Sequence, residues 1–231
     1  MLRTNLTDAT VVFDLDGTLV DTAPDLTNAL NDALTRRGYT PISQDTIRSA
    51  VGFGARVMIE EALRRDGASE DIDEMLAEFL VHYEANIAAE SRPFPGAVAS
   101  LETLAAAGAR LPVCTNKREH LSRKLLEALG LKHFFLTVAG RDTFAVSKPD
   151  PRHLTQVIAL TGGVASRAIM VGDSDVDIST AKRAQVPSIL VSFGYAPEGK
   201  LAPDAVIDHF DQLVPKIVGL LGAAPNAQSL R

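Results

Sequence analysis

FDLDGTL (residues 13–19) sets two aspartates, Asp14 and Asp16, two residues apart at the end of an apolar run. In an extended strand such residues face the same side, so their carboxylates repel unless the backbone turns between them or a cation gathers them. Asp16-Gly17 begins such a turn. A second acidic cluster, GDSDVD (172–177), ends another apolar run. With a helix starting near Ser174, Asp173 and Asp177 stand about one turn apart. Alone, Asp-x-Asp-Gly is ordinarily a turn and Gly-Asp-Ser ordinarily caps a helix. Their joint occurrence at the ends of two apolar strands points instead to one crevice shared by Asp14, Asp16, Asp173 and Asp177.

Working outward, β-branched runs at 10–16, 109–116, 134–140, 168–173 and 188–194 alternate with helical patterns at 97–108, 120–130, 151–162 and 175–184. Gly108, Gly130 and Gly162 stand where helix C-termini are expected. Strands apolar on both faces that alternate with helices predict an α/β chain with a parallel sheet covered on both sides. Ligands of such sheets bind beyond the carboxyl ends of the strands, where the polar residues of these runs fall. Residues 22–90 interrupt the alternation with four helical patterns (22–38, 42–51, 55–67 and 69–88) and no strand between them. RPFPG (92–96) reads as the return hinge, because its prolines disfavour continued helix. The expected division is a catalytic core from 1–18 and 91–224, a helical cap at 19–90 and a flexible tail at 225–231.

The 231 residues are 46% hydrophobic and carry a net charge of −6. An acidic balance without a Lys/Arg run argues against nucleic acid as a partner but leaves a small anionic substrate open. One cysteine, Cys114, excludes an intramolecular disulfide and a multi-cysteine metal site. No stretch approaches the about 20 apolar residues that cross a bilayer, and the N-terminus lacks a secretory segment. A cytoplasmic protein with no membrane partner, monomer or homodimer, is the expectation.

Oxygen-only ligands fit a hard cation, and Mg²⁺ suits phosphate chemistry. One carboxylate of the set can then attack phosphorus while a second handles the proton of the leaving alcohol and of water. Thr115-Asn116 ends the second predicted strand, where a hydroxyl and an amide can hold phosphate oxygens, although simple N-capping is the plainer reading. Lys148, in SKPDP, is by default a surface lysine, but carboxylates facing a phosphate need its positive charge. Cys114 reads as a small core residue, and Met58 and Met75 as insert core. His82, His120, His133, His153 and His209 are too dispersed for a metal site.

DLDGTL, the Thr-Asn after the second strand, the Lys-Pro and GDSxxD, in this order, resemble the haloacid dehalogenase superfamily. The resemblance covers residues 10–20 and about 93–195, with the helical insert where that superfamily carries its cap. It implies a Rossmann-like, doubly wound core, with Asp14 as nucleophile and Asp16 as general acid/base. Thr115 and Lys148 become ligands of the phosphoryl group. Asp173 holds Mg²⁺ beside Asp14 and the carbonyl of Asp16, and Asp177 supports that shell. Members that act on carbon–halogen bonds lack the second aspartate, so Asp16 favours phosphoryl transfer. Within the superfamily, DLDGTLVDTAPDL, VGFGAR, PFPG, VCTNK, GRDTFAVSKPDP and SFGYAP resemble the phosphoglycolate phosphatases. One departure is Gln185, where relatives usually carry glycine; a left-handed backbone there costs roughly 1 kcal/mol.

The expected reaction is Mg²⁺-dependent hydrolysis of 2-phosphoglycolate, a small phosphorylated metabolite, through an aspartyl-phosphate. Another small phosphate ester, a pyrophosphate or a sugar-phosphate mutase reaction on the same core is the alternative. VGFGAR (51–56) is either a plain turn between cap helices or a specificity loop that lowers Arg56 toward a small carboxylate; Arg56 equally suits a pair with Glu60. A phosphonate-cleaving relative would need a cap lysine, and residues 22–90 contain none. A phospho-accepting receiver-like module is about half as long and lacks the insert.

Overall fold

The computed structural model describes residues 5–68, 71–196 and 199–223. The tail expected at 225–231, residues 69–70 of the fourth insert helix and Pro197 of SFGYAP lie outside the described residues. Six strands form one sheet: β1 (Thr10–Phe13), β4 (Pro112–Cys114), β5 (Thr137–Ala139), β6 (Ala168–Gly172), β7 (Ser188–Val191) and β8 (Ala205–Ile207). Their spatial order is β5-β4-β1-β6-β7-β8, and every neighbouring pair is parallel. From β1 the chain builds outward on one side and then returns to build on the other, the doubly wound order whose switch point lies beside the first strand.

The register places the polar ends together. Phe13 aligns with Val113 on one side and with Val171 on the other. Asp14 therefore leaves the sheet level with Cys114 and Gly172, one residue short of Thr115 and Asp173. Alternate β1 side chains serve opposite faces. Val11 and Phe13 pack in the core shared with α5 (Ala97–Ala106), α6 (Glu119–Ala128) and α9 (Leu213–Ala223). Val12 packs in a smaller core with α7 (Pro151–Leu160) and α8 (Asp175–Arg183). Both faces are covered, as the apolar runs require.

The insert holds α1 (Ala23–Thr35), α2 (Gln44–Val51), α3 (Ala55–Arg65) and α4 (Ile72–Ala85), close to the four expected helices. Ser43 and Asp71 cap α2 and α4 through their side chains. Leu30, Ile47, Met58, Met75, Phe79 and Tyr83 fill its interior. At its base the hinge contains a short ribbon, β2 (Val20–Asp21) against β3 (Arg92–Pro93), antiparallel. Two-residue strands leave no alternation to read, so the sequence shows only the prolines. Asp25 closes the same base: its carboxylate accepts the Ser91 amide at 2.8 Å, the Ser91 hydroxyl at 2.6 Å and the Glu90 amide at 3.0 Å.

β8 and α9 also lack a clear sequence signature. β8 is a three-residue edge strand, and α9 carries Pro215 and Gly219 within its pattern. No helix among the described residues is long and apolar enough to cross a membrane. Gly108, Gly130 and Gly162 take positive φ at the ends of α5, α6 and α7, as their spacing predicts.

Gln185 has φ 56°, the one non-glycine residue with positive φ among the described residues. Its side chain is exposed, so the strain brings no packing in return. Gln185→Gly should raise unfolding stability by about 0.5–1 kcal/mol, the relief of left-handed strain less the added entropy of the unfolded chain. Urea midpoints of the two proteins check this.

Candidate active site

Past Phe13 the chain turns, and the two carboxylates of FDLDGTL part. Asp14 stays at the sheet edge, its amide bonded to Val171 O at 2.9 Å. Its carboxylate meets those of Asp173 and Asp177; one oxygen from each lies within 4.8 Å of the others. All three are buried. Lys148, 4% exposed, supplies the nearby cation, with Nζ 2.6 Å from Asp177 Oδ1 and 2.9 Å from Asp14 Oδ1. The contact to Asp14 is an ion pair, and no other side chain among the described residues donates to the Asp14 carboxylate. The Lys148–Pro149 peptide is cis.

Asp177 is the most committed of the three. Besides Lys148 it accepts Ser174 Oγ at 3.0 Å and the Asp173 and Ser174 amides at 3.3 Å, completing the capping box of α8. Asp173 accepts the Tyr195 amide at 2.8 Å. Glycines make this crowding possible: a Cβ on Gly17 would lie 2.3 Å from Asp173 Oδ2, and one on Gly194 2.2 Å from Asp173 Cβ.

Burial pushes Asp14 up to about 6, reinforced by Asp177 and Asp16 and opposed by Lys148. Burial, then Asp177 and Asp14, raises Asp173 well above the carboxylate range. Burial alone would lower Lys148, but Asp14 and Asp177 outweigh it and keep the ammonium charged. Three carboxylates against one ammonium leave an excess of negative charge that a cation would relieve.

Asp16 points elsewhere. Its carboxylate receives Lys117 Nζ at 2.9 and 3.2 Å and the Thr22 hydroxyl at 2.7 Å. It is absent from the three-carboxylate group, so only its main-chain carbonyl remains for the metal role expected of it. Lys117 was not singled out from the sequence, yet it is buried, pairs with Asp16 and lies 4.4 Å from the Tyr83 ring centroid. Its signal was its position directly after Thr115-Asn116 at a strand end. Tyr195, equally unremarked, bonds Asp21 through its hydroxyl at 2.6 Å while that oxygen accepts the Thr22 and Ala23 amides.

Thr115 is buried at the end of β4, and its Oγ1 accepts the Lys117 amide at 3.3 Å. The side chain of Asn116 donates to Gly52 O and Lys148 O at 3.1 Å each, and so bridges insert and core. Arg56 pairs with Asp73 on α4, not with Glu60. Between the insert and the core loops lies a cavity of about 360 Å³, lined by Asp16 and Lys117 from the core and by Arg56 and Tyr83 from the insert, among others.

The strand order, the helical insert and the buried aspartates define a class of hydrolase. Residues 11–191 match the haloacid dehalogenase-like hydrolase family, and the chain belongs to it. Within it the chain is a phosphoric monoester hydrolase resembling the phosphoglycolate phosphatases. A phosphoglycolate phosphatase of Mesorhizobium japonicum is 50% identical over 208 residues, covering 88% of this chain and 92% of that protein. Another, of Caulobacter vibrioides, is 45% identical across 96% of this chain and 95% of its own. The crystal structure of a predicted phosphoglycolate phosphatase from Haemophilus somnus superposes with a TM-score of 0.84 at 27% identity, covering 91% of this chain and 98% of that one.

Beneath the site, Cys114 is a core residue as expected, its thiol pushed up to about 12 by burial. His153 Nδ1 lies 3.7 Å from Cys114 Sγ, and its Nε2 has no hydrogen-bond partner among the described residues. Burial, with Lys148 nearby, lowers His153 from 6.5 to about 4. As pH falls from about 6.5 to 4 the unfolded ring takes up a proton that the folded ring refuses, so stability drops through this window. Wild type should lose on the order of 2 kcal/mol more than His153→Leu between pH 7 and pH 4.5. Urea unfolding at both pH values measures the difference.

Proposed function

We propose that this protein hydrolyses 2-phosphoglycolate to glycolate and phosphate through an aspartyl-phosphate on Asp14, with Mg²⁺ as cofactor. The observation that carries the reading is Asp14 itself: a buried carboxylate whose one donor among the described side chains is Lys148, set beside Asp173 with acceptor capacity to spare. The names of the relatives supply the substrate, and the basic residues of the cavity suit an anionic one. The core (1–18 and 91–224) carries the chemistry, and the cap (19–90) covers it.

The donor set fits a hard cation, being all oxygen, buried and short of positive charge. Asp14, Asp173 and the carbonyl of Asp16 would hold Mg²⁺, which supplies charge to offset the repulsion between Asp14 and the phosphate. Lys148 and the Thr115 hydroxyl bind and orient the phosphoryl oxygens. An Asp14 oxygen bonds to phosphorus as the bond to the glycolate oxygen breaks, and Asp16 gives that oxygen its proton. Asp16 then takes a proton from water, which attacks the same phosphorus and releases phosphate and the Asp14 carboxylate. Lys117 and Thr22 fix the orientation of Asp16 for both transfers. Closure of the helical cap excludes other water.

Asp14→Asn should keep the fold by circular dichroism and lose about a thousandfold or more in kcat on 2-phosphoglycolate. Chelation should silence the wild type, and Mg²⁺ should restore it. An Asn variant that retains a tenth of the wild-type kcat would remove Asp14 as nucleophile.

A further inference from the structure

Four cationic side chains line the cavity between insert and core: Arg56, Lys117, Arg118 and Arg141. Two already have anions, since Arg56 pairs with Asp73 and Lys117 with Asp16. Arg118 and Arg141 make no side-chain hydrogen bond or ion pair among the described residues, and only Arg141 is shown to pass beneath the insert. A Cβ built on Gly54, whose φ is 94°, would lie 3.0 Å from Arg141 Nη1. Glycine in VGFGAR thus leaves room for a guanidinium that comes from the core.

The main chain that bears this arginine is fixed. Arg141 donates its amide to Lys117 O at 3.0 Å. The preceding Gly140 is packed so closely on the 117–119 loop that a Cβ there would meet Lys117 O at 2.5 Å and the Glu119 amide nitrogen at 2.2 Å. A second observation points to a ligand in the same cavity. Tyr83, on α4, is 1% exposed and lines the space, yet its hydroxyl has no hydrogen-bond partner among the described residues. A buried hydroxyl without a partner costs about 1–3 kcal/mol, which a bound acceptor would recover.

Resting on the substrate class given above, we propose that Arg141, rather than Arg56, receives the carboxylate of the substrate, with the Tyr83 hydroxyl donating to the same group. A guanidinium offers a carboxylate two parallel N–H donors, so the site selects for a planar anion at the end of the substrate remote from phosphorus. Arg141 is then the specificity-determining residue, and the core, not the cap, carries the selecting charge.

The test compares kcat/KM on 2-phosphoglycolate with that on 2-hydroxyethyl phosphate, in which a neutral hydroxymethyl group replaces the carboxylate. Wild type, Arg141→Ala, Arg141→Lys and Arg56→Ala are measured with Mg²⁺. Arg141→Ala should collapse the wild-type preference for 2-phosphoglycolate by about a hundredfold, chiefly through KM, and lysine should restore only part of it. Arg56→Ala should keep most of the preference. If Arg141→Ala lowers both substrates alike, or leaves the preference intact, the assignment is overturned while the substrate reading stands. If Arg56→Ala alone abolishes the preference, the carboxylate belongs to the cap arginine. A wild type that shows no preference for 2-phosphoglycolate refutes the substrate reading and the assignment with it.

Discussion

One buried ammonium holds the reactive end of the sheet together. Lys148 stands between Asp14 at the end of β1 and Asp177 in the first turn of α8, within 3 Å of both. Removing two carboxylates and an amine from water costs several kcal/mol per ion, and mutual attraction returns it only when the geometry is close. Asp177 meets that condition through four contacts, its lysine and the Ser174 cap included. Asp14 does not, and it is the group left with unused acceptor capacity. The same lysine therefore anchors one aspartate to the scaffold and keeps the other charged.

The repulsion latent in FDLDGTL is resolved by separation rather than by sharing. Each aspartate has a lysine of its own, and the two lysines arrive on different loops: Lys148 ahead of α7 and Lys117 after β4. The turn at Gly17 sends Asp16 toward the insert, where the Thr22 hydroxyl also meets it. One carboxylate thus looks into the sheet edge and the other toward the cavity, although they are separated by a single leucine.

Most of this architecture was written in the spacing of apolar runs. Five core strands, four core helices and the four insert helices follow from periodicity, because their apolar faces are long enough to repeat. The hinge ribbon and β8 are two and three residues long, and α9 runs through a proline and two glycines; none of them offers a repeat. At the site, the cluster of Asp14, Asp173, Asp177 and Lys148 was legible because DLDGTL, Thr-Asn, Lys-Pro and GDSxxD follow one another in one order. What one chain of letters hides is pairing across sequence distance. Asp73 takes up Arg56 where α4 packs beside α3 within the insert, and Gly52 takes up Asn116 where the insert settles on the core. Lys117 was hidden for a similar reason: it is buried, and the Tyr83 ring that lies against its ammonium comes from α4, far away in sequence.

Tyr195 joins two parts that have separate tasks. Its amide holds Asp173, and its hydroxyl holds Asp21 and the first amides of α1, so one residue spans the carboxylate cluster and the strand that leads into the insert. Tilting of the helical lobe about its ribbon must therefore either break this tether or drag the 194–195 segment along. Any such tilt would thus be felt, through position 195, at an oxygen deep in the sheet edge.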